Sequence, residues 1–149
     1  MKRVVGLAIA VAAVVAGVAT AASQAKPSFA GKWTLVPGST AVTGVDLLFA
    51  VVQDDKTLTV VRNNGTHKRV FNLDGSEAKD AITAEPWGSV GDSSTVAWDG
   101  AKMILTMREG RRLVMTQTWS LDATGNLIIE STSNVGGTPS TTKATYKKG

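Results

Sequence analysis

Residue pairs suited to tight turns punctuate this chain at short intervals: Asn64-Gly65, Asp74-Gly75, Asp99-Gly100, Glu109-Gly110 and Gly136-Gly137. Asn-Gly and Asp-Gly favour two-residue hairpins, because the central positions of those turns need positive φ. The segments between the turns are short, rich in Val, Thr, Ile and Trp, and often alternate apolar with polar residues. That is the pattern of half-buried strands. Strands are expected at 31–36, 45–53, 57–63, 66–73, 95–98, 101–108, 112–121, 127–133 and 141–147, with one more short strand open near 81–84. No amphipathic helix is expected after residue 25. The predicted class is all-β: an antiparallel up-and-down β-barrel of about eight strands. A closed barrel of that size removes its sheet edges, and either fills its interior with side chains or holds one small ligand there.

The hairpins fix which residues share a face, because a strand's side chains alternate with a period of two. A turn at Asp99-Gly100 pairs Trp98 with Ala101 and Val96 with Met103, placing Val96, Trp98, Met103, Leu105 and Met107 together. The next connection needs an odd length. A three-residue loop, Glu109-Gly110-Arg111, pairs Met107 with Leu113 and Leu105 with Met115. It adds Leu113, Met115 and Trp119 to the same face and requires Gly110 to be left-handed, as in a bulged hairpin. The Asn64-Gly65 turn sets Leu58, Val60, Arg62, His67, Arg69 and Phe71 on one face. If that face points inward, Arg69 is a cation inside the barrel, able to take a carboxylate bidentately. If the strand twists outward, Arg69 is solvated.

The N-terminus has its own logic. Met1-Lys2-Arg3 is basic, Val4 to Val18 is an uncharged apolar run, and small residues follow. These are the parts of a secretory signal peptide. At about 15 residues, the run is short of the roughly 20 a membrane-spanning helix needs. Residues 1–25 are therefore expected to be a signal peptide, cleaved after Ala21 or Ala25, and 26–149 to form one barrel domain. The chain has no Cys, so no disulfide and no lipid acylation of the new N-terminus is expected, and no stable membrane anchor after cleavage. The expected location is the periplasm or the exterior. Without Lys2 and Arg3 the 16 basic residues become 14 against 12 acidic. That balance does not suggest nucleic-acid binding, which asks for a concentrated basic face.

No catalytic set emerges. His67 is the sole histidine, no nucleophile-elbow pattern accompanies it, and its place beside Lys68 and Arg69 after a hairpin tip suits a solvated side chain. One His with scattered carboxylates does not make a metal ligand set. No cofactor is expected and the chain is not expected to be an enzyme. The candidate ligand contacts are Arg69, Trp87, Trp98, Met103, Leu105, Met107, Met115 and Trp119. Trp98, Trp119 and the methionines read equally as barrel core. Trp87, after Pro86 in the weakly patterned stretch 75–93, reads as a contact or as packing over a barrel end. The expected partner is a small hydrophobic or amphipathic ligand; a protein partner is the alternative, with a filled barrel acting through its surface.

Phe29-Ala30-Gly31-Lys32-Trp33 resembles the Gly-x-Trp signature at the first strand of lipocalins. Trp98-Asp99-Gly100-Ala101-Lys102-Met103 and the stretch from Thr118 to Leu127 resemble small exported bacterial lipocalin-like proteins. The resemblance implies a calycin-type barrel. It implies that Trp33 closes one end, packed under a basic side chain from a late strand, for which Lys143 or Lys147 would serve. The segment from Pro37 to Thr43 leaves no room for the two-helix lid of the fatty-acid-binding relatives.

Overall fold

The computed structural model describes residues 24–39, 46–62, 65–79 and 92–149. The proposed signal peptide up to residue 23, Asn64, Trp87 and the extra strand near 81–84 lie outside the described residues.

Among the described residues ten strands form one antiparallel sheet: β1 (Gly31–Leu35), β2 (Leu48–Gln53), β3 (Thr57–Arg62), β4 (His67–Asn72), β5 (Ala78–Lys79), β6 (Ser93–Asp99), β7 (Lys102–Glu109), β8 (Arg112–Leu121), β9 (Leu127–Ser133) and β10 (Ser140–Lys148). Strands adjacent in sequence are adjacent in the sheet, except β4 and β5, and β1 pairs with β10. The result is an up-and-down, nearly closed barrel. Between β4 and β5, the two ends of the described sheet, side chains bridge the gap. The Asn72 amide donates to the Glu77 carbonyl at 3.3 Å and the Trp98 indole to the Leu73 carbonyl at 3.3 Å. The expected eight strands are ten, in part because β5 is a two-residue pairing with β6 that leaves no periodic signal.

The hairpin at Asn64-Gly65 has the expected register, with Leu58 opposite Phe71, Val60 opposite Arg69 and Arg62 opposite His67. The next two hairpins keep their predicted faces, Leu113 apart, but not their predicted partners. Trp98 faces Met103 rather than Ala101, and Val96 faces Leu105. Met107 faces Met115 and Leu105 faces Gln117. The turns themselves share one cause. Gly100 and Gly110, at φ +58° and +56°, take the first central position of their turns, where either primed turn type needs positive φ. The acid before each glycine is thereby drawn into the strand; the β6–β7 ladder moves by two residues, which preserves the face, and the β7–β8 ladder moves by one at the turn and by one more further along. The odd residue inferred near Gly110 exists, but as a bulge at Val114. Arg108 pairs with Leu113 and Met107 with Met115, leaving Val114 between them, buried. Leu113 therefore shares the outward parity of Arg108 and is 37% exposed, which corrects its expected place on the inner face.

The β8–β9 turn is tied by a carboxylate. Asp122 accepts from the Thr124 and Asn126 backbone N–H groups, both at 2.9 Å, and from the Thr124 hydroxyl at 2.8 Å. Those bonds hold its carboxyl down at about 2.

Candidate functional site: the barrel interior

The lower end of the barrel carries the β2–β3, β4–β5, β6–β7 and β8–β9 turns, and it is closed by aromatic rings. Phe29, just before β1, is fully buried. It stacks on Trp98 at 6.3 Å and meets Trp119 edge-on at 5.8 Å. Its N–H donates to Gln53 Oε1 at 2.7 Å, and Gln53 Nε2 reaches the Pro27 carbonyl at 3.4 Å. The Trp33 indole donates to the Phe29 carbonyl at 2.8 Å. Residues 24–30 thus form a strap under the barrel, outside any strand, and Lys26 Nζ lies 5.1 Å from the Trp98 ring.

Trp33 has the basic partner that the resemblance implies, but it is Lys148, whose Nζ stands 5.6 Å from the ring. The β1–β10 register pairs Trp33 with Lys148 and Thr34 with Lys147, so Lys147 points to the other face. Lys143 is ion-paired with Glu130 at 3.2 Å. Neither of the two expected lysines fills the role. The register also explains the glycine of Gly-x-Trp. Gly31 has φ +144°, and a Cβ there would lie 2.6 Å from Lys148 Cε. The lysine stem crosses where a side chain would otherwise stand.

Of the expected inner face, Val96, Met103, Leu105, Met107 and Trp119 are all buried in the core. Trp98 and Met115 are half-buried and pack against that core. The ladders bring these seven residues together.

Above this floor the inner wall turns polar. Gln117 faces inward between Met115 and Trp119. Its Nε2 donates to Ser131 Oγ at 3.0 Å and its Oε1 accepts from the Trp119 indole at 3.1 Å. On the opposite wall Arg62, His67 and Arg69 share the inward parity of Leu58 and Phe71. Arg62 is held by Asp46, Nε to Oδ2 at 2.7 Å. The Arg69 guanidinium lies 5.8 Å from the Phe71 ring, and the residue is half-buried. Tyr146, stacked edge-on to Phe49 at 4.9 Å, is a neutral phenol. Burial, and secondarily the Asp46 carboxylate, pushes its pKa well above the ordinary tyrosine value. Among the described residues, no group of three His, Asp or Glu side chains is placed to hold a metal ion.

Chemically, the interior is amphipathic. An aromatic and methionine floor meets a wall that carries Arg69, the Arg62–Asp46 pair, an amide and hydroxyls. Sequence reading missed Phe29, Asp46 and Gln117 as parts of this arrangement. Gln117 was recoverable, since alternation along β8 places it between two inward residues. Asp46 and Phe29 lie outside strands, where alternation carries no information.

No protein-family model matches the chain, and no curated protein does. Among solved structures the chain is similar to the ileal bile acid-binding protein of zebrafish, determined in complex with cholic acid. The two are 20% identical with a TM-score of 0.56, over 81% of this chain and 98% of that one. This likeness establishes the fold, a calycin-type barrel.

Proposed function

We propose that this chain is an exported barrel that binds or carries a small amphipathic molecule. The apolar part would rest against Phe71 and Met115, and an anionic end would meet Arg69. The observation that carries the reading is the inward guanidinium of Arg69, opposite Val60 and over the Phe71 ring. A guanidinium presents a planar fork of donors that matches a carboxylate bidentately. The zebrafish protein of the same fold was determined with cholic acid, itself an amphipathic carboxylic acid, which supports the ligand class. Trp98, Met103, Leu105, Met107 and Trp119 then serve as the floor rather than as direct contacts. The tripartite N-terminus supports export to the periplasm or beyond, with cleavage before Lys26. The chain would work by binding, without a cofactor and without catalysis.

A second reading, an envelope protein-interaction module with a filled barrel, has one observation in its favour. Met103, Leu105 and Leu127 have no exposed surface at all, so the lower half of the interior is solid. Native mass spectrometry of the protein taken from the cell envelope separates the two. The expected result is a chain lacking its first 21 to 25 residues that carries extra mass, released on denaturation as a small anionic amphiphile. A bare chain recovered with a stoichiometric protein would favour the second reading.

A further inference from the structure

The outer wall formed by β1 to β4 sets exposed apolar residues among lysines, and we propose that it docks on the surface of an anionic lipid bilayer. Three rows of outward residues run across it. Val52, Thr59 and Val70 lie side by side in the first. Lys32, Ala50, Val61 and Lys68 form the second. Thr34 and Leu48 form the third, continued by Lys147 on β10. Val52 is 64% exposed, Leu48 56% and Val70 44%. Scattered surface apolar residues need no explanation, but adjoining rows of them do.

Charge complementarity identifies the occupant. The five neighbouring strands β4, β3, β2, β1 and β10 contain no Asp or Glu. Three of their lysines, Lys32, Lys68 and Lys147, stand in or at the ends of the apolar rows. The acidic strand residues, Asp99, Glu109 and Glu130, all belong to β6, β7 and β9. Within the described strands, the acidic residues therefore lie away from this wall.

Composition favours lipid over protein. The rows hold Val, Leu, Ala, Thr and Lys, with no Trp, Tyr or Arg, the residues that anchor protein interfaces, and Lys is depleted in such interfaces. The outside of a barrel is convex and offers no pocket for a partner's anchor, whereas acyl chains and headgroups conform to a convex surface. Lysine stems lie along apolar surface with the ammonium raised toward headgroup phosphates. Each lysine near an anionic membrane contributes about five-fold in affinity.

Vesicle co-sedimentation at low salt tests this, with phosphatidylcholine alone and with phosphatidylcholine mixed at about three to one with phosphatidylglycerol. The protein should sediment with the mixed vesicles and be released by salt. Lys32→Gln with Lys68→Gln should lower partitioning by about 25-fold. Val52→Asp should lower it as well, while Lys102→Gln on β7 should leave it unchanged. All variants share the same N-terminal segment, so differences among them report the wall, and far-ultraviolet dichroism verifies that each is folded. Failure to bind the mixed vesicles would overturn the proposal. So would equal effects of Lys102→Gln and the Lys32/Lys68 pair, or binding to an acidic soluble protein with none to vesicles. The wall lies outside the barrel, so the proposal stands or falls apart from the reading of the interior.

Discussion

Trp33→Ala should lower unfolding stability by about 3–5 kcal/mol, the range for emptying a large buried aromatic site. The ring is 1% exposed, its indole N–H is bonded to the Phe29 carbonyl, and Lys148 covers it. The substitution leaves a cavity at the closed end and orphans that carbonyl. Urea unfolding should show a lower midpoint with an unchanged slope. Lys148→Ala removes only the cation and its stem from an exposed position, for about 0.5–1 kcal/mol. A loss below about 1 kcal/mol for Trp33→Ala would mean the ring does not close the barrel.

Phe29→Ala should be comparably damaging, at about 3–5 kcal/mol, although Phe29 belongs to no strand. Its ring is the joint between Trp98 and Trp119, and aromatic contacts of this geometry contribute about 0.5–1.5 kcal/mol each beyond area. The Phe29 N–H bond to Gln53 also draws the strap against β2. The near-ultraviolet dichroism of the tryptophans should collapse toward a featureless spectrum while far-ultraviolet strand content remains. If both stability and the near-ultraviolet signal survive Phe29→Ala, the strap is an ornament and the closed end holds without it.

The barrel class follows from turn chemistry and alternation, and these were readable because both are local. Gly100 and Gly110 show where locality ends. Either residue of Asp99-Gly100 can take the first central position, and the choice moves that whole ladder by two residues without changing which side chains face the core; at Gly110 the turn moves the ladder by one and the bulge at Val114 by one more. So Met103, Leu105, Met107, Met115 and Trp119 were grouped correctly from wrong partners. Leu113 was misplaced because the extra residue sits at Val114, inside the strand, and a bulge in an apolar run leaves no mark in the sequence. Lys148 could have been preferred over Lys147 only by knowing the β1–β10 register, a pairing between residues at the two ends of the domain. Asp46 was invisible for the same reason: its partner Arg62 is brought to it by the β2–β3 ladder.

The central claim is that the interior receives an amphipathic anion at Arg69. Its most direct measurement is a titration by intrinsic tryptophan fluorescence, comparing a long-chain carboxylate with its methyl ester. Trp98 and Trp119 lie in the floor beneath the proposed site and report occupancy. A hydrogen bond to a charged group contributes about 1.5–3 kcal/mol, so the carboxylate should bind about 10- to 100-fold more tightly than the ester. Arg69→Gln should erase that preference and leave ester binding as it was. Saturable binding whose carboxylate preference survives Arg69→Gln would contradict the assignment of Arg69, and absence of saturable binding by either compound would contradict a ligand-binding interior.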